Sequence, residues 1–267
     1  MADGTQGGDG QLAGKLAVIS GGSRGIGRAI AERFVAEGAR VVIAARDQGS
    51  LDQAVSALNS GGEACRGVRA DLSTVEGVNA LVEAASGWGG IDILVNNVGG
   101  APIGNFLTLT DEQFLGAWSL KLLAGIRLTR AAVPQMMERG GGSIINIIGV
   151  GGREPNAEAT TIGTTNAAIR ALTKGLSRDL AGKGIRINAI TPGRVRTERN
   201  VTLTEQAAAA RGVSFEEVEA EGLKAIPMKR LVEPSEVAEV ALLLAGSRVP
   251  SLTGAEIVLD GGQTHYL

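Results

Sequence analysis

Short apolar runs and helix-period stretches alternate along nearly the whole chain. The first run, residues 15–19, is apolar after its lysine and reads as a buried strand. A helical pattern follows through Ile30, Phe34 and Val35 and stops at Gly38. Residues 40–45 repeat the strand pattern and 51–58 the helix pattern, and a Ser60-Gly61-Gly62 turn closes that unit. Further strands are predicted at 64–70, 91–95, 143–148, 185–190 and 256–260, with helices at 75–85, 160–181 and 234–246. Thr110-Asp111-Glu112-Gln113 has the Thr-x-x-Gln form of a capping box and starts one long helix toward Arg139. Buried strands separated by helices imply parallel pairing. The pattern therefore predicts an α/β fold, a Rossmann-type doubly wound sheet of seven parallel strands with helices on both faces. In such sheets ligands bind at the carboxyl ends of the strands.

Length and composition narrow the picture. A chain of 267 residues with 44% apolar content supplies one sizeable core, so residues 12–267 are read as a single domain. Residues 1–11 are glycine-rich and polar and are expected to form a disordered leader. Residues 198–230 are helical in composition but poorly patterned, as expected of a segment that covers a site. Its Val201, Leu203, Val213, Phe215 and Leu223 are candidate pocket contacts, or equally the packed face of a helix. A net charge of −2 gives no basic footprint for nucleic acid. The single cysteine, Cys65, excludes an internal disulfide and fits a reducing compartment. No apolar run is long enough to span a bilayer and no secretory signal is evident, so a cytoplasmic protein without membrane contact is expected. No metal site is expected either.

Between the first strand and its helix lies Ser20-Gly21-Gly22-Ser23-Arg24-Gly25-Ile26-Gly27. A glycine loop opening a helix lets backbone N–H groups face a pyrophosphate where a Cβ would block the approach. With 40 glycines in the chain, spacing alone is a weak signal, and the flanking strand and helix give it weight. Four more marks follow in order: Asp71-Leu72 after the third strand, Asn96-Asn97-Val98-Gly99 after the fourth, Pro192-Gly193 with Thr197, and Asp260-Gly261-Gly262. Over residues 12–267 the chain resembles the short-chain dehydrogenase/reductase family, with Ser20 and Val98 where the family usually has Thr and Ala. The resemblance implies a homodimer or homotetramer acting on a small molecule. It also implies cofactor contacts from Gly21, Ser23, Arg24, Gly25, Ile26, Gly27, Arg46, Asp71, Leu72, Asn97, Gly99, Pro192, Gly193 and Thr197. A carboxylate at the tip of the second strand would favour NAD(H), whereas a guanidinium accepts a 2′-phosphate. Here the tip reads Ala44-Ala45-Arg46 and Arg24 sits in the loop, so NADP(H) is expected over NAD(H). The plainer alternative is that both arginines are ordinary solvated charges.

The catalytic positions depart from the family. Its reductases use a Tyr to donate the proton, a Lys four residues later, a Ser thirteen residues before the Tyr and an Asn on the preceding helix. The resemblance places Ile162, Asn166, Gly149 and Lys121 at those positions. Loss of a positioned general acid costs ~10² to 10⁴ in rate, and of an oxyanion donor ~10² to 10³. The one tyrosine, Tyr266, stands beside the one histidine, His265, in the tail, where a packed or frayed terminus is the plainer reading. Phe114, Trp118, Lys121 and Gly125 recur at helical spacing, which puts Lys121 on an apolar stripe as a candidate base or carbonyl-polarising group, or a snorkelling lysine. Asn166 shares a helix face with Ile162 and could bond the cofactor ribose. Glu154 and Glu158 are the nearest candidate acids or bases, with solvated loop charges as the alternative.

Three functions are compatible with this pattern. Placed first is non-redox chemistry in the same pocket, such as isomerisation, cyclisation, dehydration or aldol-type reaction, with Lys121, Asn166 or Glu154 as the working groups. The second is an NADPH-dependent oxidoreductase acting on a preactivated acceptor, and the third a catalytically silent binding or assembly partner.

Overall fold

The computed structural model describes residues 10–266. The leader expected over 1–11 lies outside the described residues except for Gly10 and Gln11. Those two are ordered, which corrects the expectation there: the Gly10 carbonyl accepts from the Ala13 N–H at 3.0 Å, and the Gln11 N–H donates to Glu37 Oε2 at 2.8 Å.

The strands are β1 (Leu16–Ser20), β2 (Arg40–Ala45), β3 (Cys65–Arg69), β4 (Ile93–Asn96), β5 (Gly142–Ile147), β6 (Ile185–Pro192) and β7 (Glu256–Leu259). They form one sheet in the order β3-β2-β1-β4-β5-β6-β7, with every neighbouring pair parallel. Strand periodicity assigns alternate residues to opposite faces. In β1, Ala17 and Ile19 join one apolar layer while Leu16 and Val18 join the other. The first layer is covered by α1 (Gly25–Ala36) and α9 (Pro234–Ala245), through Ile30, Phe34, Val237 and Leu242. The second is covered by α3 (Val75–Ser86), α5 (Ala124–Glu138) and α6 (Thr160–Leu180), through Leu81, Leu128, Met136 and Leu180. Each such side chain, removed from water, contributes about 1.5–3 kcal/mol.

The sequence pattern and the structure differ over the stretch predicted as one long helix. The capping box forms, with Thr110 N–H on Gln113 Oε1 at 2.9 Å, and starts α4 (Asp111–Ala117). A π-helical turn, Trp118–Leu123, then separates α4 from α5. The segment over 198–230 folds as α7 (Glu198–Arg211) and α8 (Phe215–Lys224), with Gly212 between them at a φ of 64°. Helix α2 (Gln48–Leu58) completes the second βα unit.

The strand order reverses between β1 and β4, so the loops leaving their carboxyl ends part and leave a crevice. The opposite end is fastened. Asp92, 5% exposed, accepts the Leu16 N–H at 2.9 Å and both Arg139 Nε and Nη2 at 3.0 and 2.9 Å. Among the described residues no helix is long and apolar enough to cross a membrane, and no cluster of metal-ligating side chains occurs.

Candidate active site

The crevice is built from the ends of β1 and β4 upward. Ser20 donates its hydroxyl to Val95 O at 3.2 Å and accepts the Asn97 and Val98 N–H groups at 2.9 and 3.0 Å. Asn97 Nδ2 in turn donates to Ser20 O and Gly21 O, both at 3.0 Å. Asn97 thus holds the glycine loop against β4. Serine supplies the same hydroxyl as threonine, so the departure at Ser20 leaves this junction intact. At Gly27 a Cβ would run into the Gly21 carbonyl and come within 2.6 Å of Asn97 Nδ2, which fixes the residue type. Helix α1 has no side-chain cap at its start, so its first N–H groups stay directed at the crevice.

One cavity, about 590 Å³, is lined by Gly21, Ser23, Arg24, Arg46, Leu72 and Gly99 among others. Ser50 Oγ donates to Ser23 Oγ at 3.2 Å, and Arg24 stands 3.6 Å from Asp47 and 3.5 Å from Glu198. Asp47 is a carboxylate at the tip of β2, where it could have favoured NAD(H). It is occupied as the cap of α2, accepting the Ser50 N–H at 2.9 Å, and bonds from Ser50 hold its carboxyl below the usual range. Asp71 does not line this cavity. Its carboxylate takes the Ser73 N–H and hydroxyl at 3.0 and 2.8 Å, which lowers its pKa and shapes the loop carrying Leu72. A cradle that excludes a Cβ, beside two guanidiniums and two hydroxyls, fits a dinucleotide bearing a 2′-phosphate.

A second cavity of about 980 Å³ adjoins the first and is lined by Ile26, Asn97, Gly99, Pro192 and Gly193, and by Lys121, Gly149, Glu154, Ile162 and Asn166. The candidate catalytic residues are therefore brought together. Lys121 Nζ donates to Asn166 Oδ1 at 2.7 Å. Asn166 is 1% exposed, and Gly149 makes room for it: a Cβ at 149 would sit 3.1 Å from Asn166 Nδ2. The Lys121 stem lies across Gly99, and part of its surface opens to the cavity while protein packs around the ammonium. Desolvation, with a smaller repulsion from Arg199, lowers its pKa to about 8.

Other expectations are corrected. Glu158 and the five apolar candidates Val201, Leu203, Val213, Phe215 and Leu223 do not line either cavity; Arg199 and Ala225 are what the covering segment contributes. Glu154 lines the cavity but is bonded to the tail, accepting His265 N–H at 3.1 Å and meeting His265 Nδ1 at 2.9 Å. Arg153 lies 4.7 Å over the Tyr266 ring, so the tail packs on its own chain. Gly25, Gly27 and Thr197 line neither of these two cavities, and the Thr197 hydroxyl caps α7. Arg199 was missed in the sequence because only apolar contacts were sought over 198–230, and Arg194, in the loop between β6 and α7, carries no motif that marks it.

The fold and crevice define a dinucleotide-binding α/β protein whose site lies at the switch point of the sheet. The family described as enoyl-(acyl carrier protein) reductase matches residues 21–264. The chain is 37% identical to oxidoreductase UcpA of Salmonella typhimurium over 257 residues, 96% of each chain, and 34% identical to glucose 1-dehydrogenase 2 of Bacillus subtilis over 262 residues, again 96% of each. Among solved structures it superposes on L-sorbose reductase from Gluconobacter frateurii, complexed with NADPH and L-sorbose, with a TM-score of 0.91 and 34% identity, covering 96% of this chain and 98% of that one. An actinorhodin polyketide ketoreductase with NADPH gives a TM-score of 0.90 at 32% identity, with 96% and 99% covered. The chain belongs to the short-chain dehydrogenase/reductase family.

Proposed function

We propose that this protein is an NADP(H)-dependent oxidoreductase that reduces a preactivated acceptor, such as a quinone-like or iminium system. The observation that carries the reading is the pairing of a glycine cradle flanked by Arg24 and Arg46 with a Lys121–Asn166 contact at the substrate end. The NADPH-bound reductases similar to this chain support hydride transfer over the non-redox chemistry placed first in the sequence analysis. When bound, the reduced nicotinamide supplies the hydride. The proposal takes Gly149, Ile162, Asn166 and Lys121 as the occupants of the family's relay positions, so no phenol donates the proton. Asn166 fixes the Lys121 ammonium; on a quinone-like acceptor that ammonium meets the negative charge developing on oxygen as the hydride arrives and donates its proton there, whereas an iminium becomes a neutral amine on taking the hydride and needs no proton. An acceptor already activated needs little more than this and correct placement.

The same reading includes a single domain over 12–267, α7 and α8 covering the substrate cavity, a homodimer or homotetramer and a cytoplasmic location. Anaerobic NADPH oxidation with an ortho-quinone, a cyclic iminium and an unactivated ketone tests the central claim. Oxidation with the first two and little with the ketone is expected. Turnover of a substrate without any nicotinamide oxidation would return the non-redox reading to first place.

A further inference from the structure

We infer that Arg199, at the start of α7, is a clamp for the pyrophosphate of the dinucleotide. The inference rests on the NADP(H) reading and adds a cofactor contact from the covering segment.

Three placements carry it. Arg199 lines both cavities, so it stands at the seam that any molecule running from the Arg24 and Arg46 end to the Lys121 end must pass. A dinucleotide carries its pyrophosphate midway between its two nucleosides, at such a seam. The first turn of α7 is also held directly over the glycine loop: Glu198 pairs with Arg24 at 3.5 Å, and the Thr197 methyl would lie 3.2 Å from a Cβ at Gly25. Arg199 is thus carried on the same turn that lies over the glycine loop, and α1 has no side-chain cap at its start. Finally, the guanidinium lacks a carboxylate partner among its described bonds. Nη1 reaches only the Gly99 carbonyl, at 3.4 Å, and a Cβ at Gly100 would stand 3.0 Å from it. Its charged neighbour is the Lys121 ammonium, which it repels. A guanidinium facing Gly99-Gly100 with no carboxylate bonded to it gains from a phosphate group, and its planar shape suits phosphate oxygens.

The test compares two probes by calorimetry on the full-length protein and its variants. NADP+ contains the pyrophosphate, whereas adenosine 2′-monophosphate contains only the adenosine and the 2′-phosphate. Arg199→Met is expected to weaken NADP+ roughly 10- to 100-fold, the range for charge-assisted hydrogen bonds, and to leave adenosine 2′-monophosphate within twofold. Arg199→Lys should fall between wild type and Met, and Arg46→Ala should weaken both probes. Unchanged NADP+ affinity in Arg199→Met overturns the assignment, as does equal weakening of both probes, which would mean a general disturbance of the cleft. Wild-type protein that binds neither probe would overturn the NADP(H) reading itself, a result distinct from a wild type that binds and an Arg199 variant that does not differ.

Discussion

Lys121 ties stability and chemistry to the same proton. Burial and Arg199 bring its pKa to about 8, whereas in an unfolded chain it titrates near ~10.4. Between those values the unfolded state binds more protons than the folded state, so this group makes stability rise with pH from about 8 to ~10.4. The difference in urea midpoint between wild type and Lys121→Met, followed across that window, should grow in favour of wild type; parallel curves would show an ammonium that stays hydrated. Reduction of a quinone-like acceptor should fall as pH passes upward through about 8, and Lys121→Met should lower its kcat ~10²-fold with NADP(H) affinity kept within twofold. At the cofactor end, Gly27→Ala drives a methyl into the Gly21 carbonyl, where backbone must move. Loss of measurable NADP(H) binding is expected there, and a variant binding as wild type would mean that the loop relaxes freely. Lys121 and Asn166 were legible in the sequence as inward-facing residues. Their 2.7 Å bond was not, since it joins positions 45 residues apart and depends on how two helices cross.

Elements show the same division between local and long-range information. Strands and most helices followed from periodicity, because burial of one or both faces writes itself into residue spacing. The π-helical turn Trp118–Leu123 did not, since Phe114, Trp118, Lys121 and Gly125 keep α-helical spacing straight through it. The turn nevertheless sets where Lys121 lies relative to α5, whose Ala124, Leu128, Ala132 and Met136 are anchored in the core. An α-helical residue advances about 100° around the axis. Deleting the exposed Leu123 should let α4 and α5 join as one α-helix, keep α5 seated and swing Lys121 off the Asn166 contact. The deletion protein should then fold, bind NADP(H) near wild-type affinity and lose turnover to the level of Lys121→Met. Full retained activity would show that the π turn does not position the ammonium.

Across the whole molecule, rigidity and chemistry occupy opposite ends of one sheet. Parallel pairing was legible from the βα alternation, because parallel neighbours require crossovers, whereas the strand order, and with it the point where the crevice opens, came from the structure. The fastening at the other end was not, since Asp92 and Arg139 are 47 residues apart. Asp92 is buried and takes three hydrogen bonds, while Arg139 is partly exposed and also donates Nη1 to Gly89 O at 2.6 Å. Removing one partner of a fully buried pair costs about 3–5 kcal/mol, and the solvent reaching Arg139 reduces that to about 2–3 kcal/mol for Arg139→Met. Asp92→Asn leaves a donor facing the guanidinium, so its cost should be similar, and the double variant should be less destabilised than the sum of the two singles. This end lies across the sheet from the carboxyl-end crevice, so NADP(H) affinity at a temperature where the variants remain folded should stay within twofold of wild type. Chemical denaturation and calorimetry on the same three proteins separate the outcomes. A lowered unfolding free energy with unchanged affinity places Asp92 and Arg139 in the scaffold alone. A parallel fall in affinity would mean that the register of β1 against β4, set at the amino end, is transmitted along the strands to Ser20, Asn97 and the glycine loop.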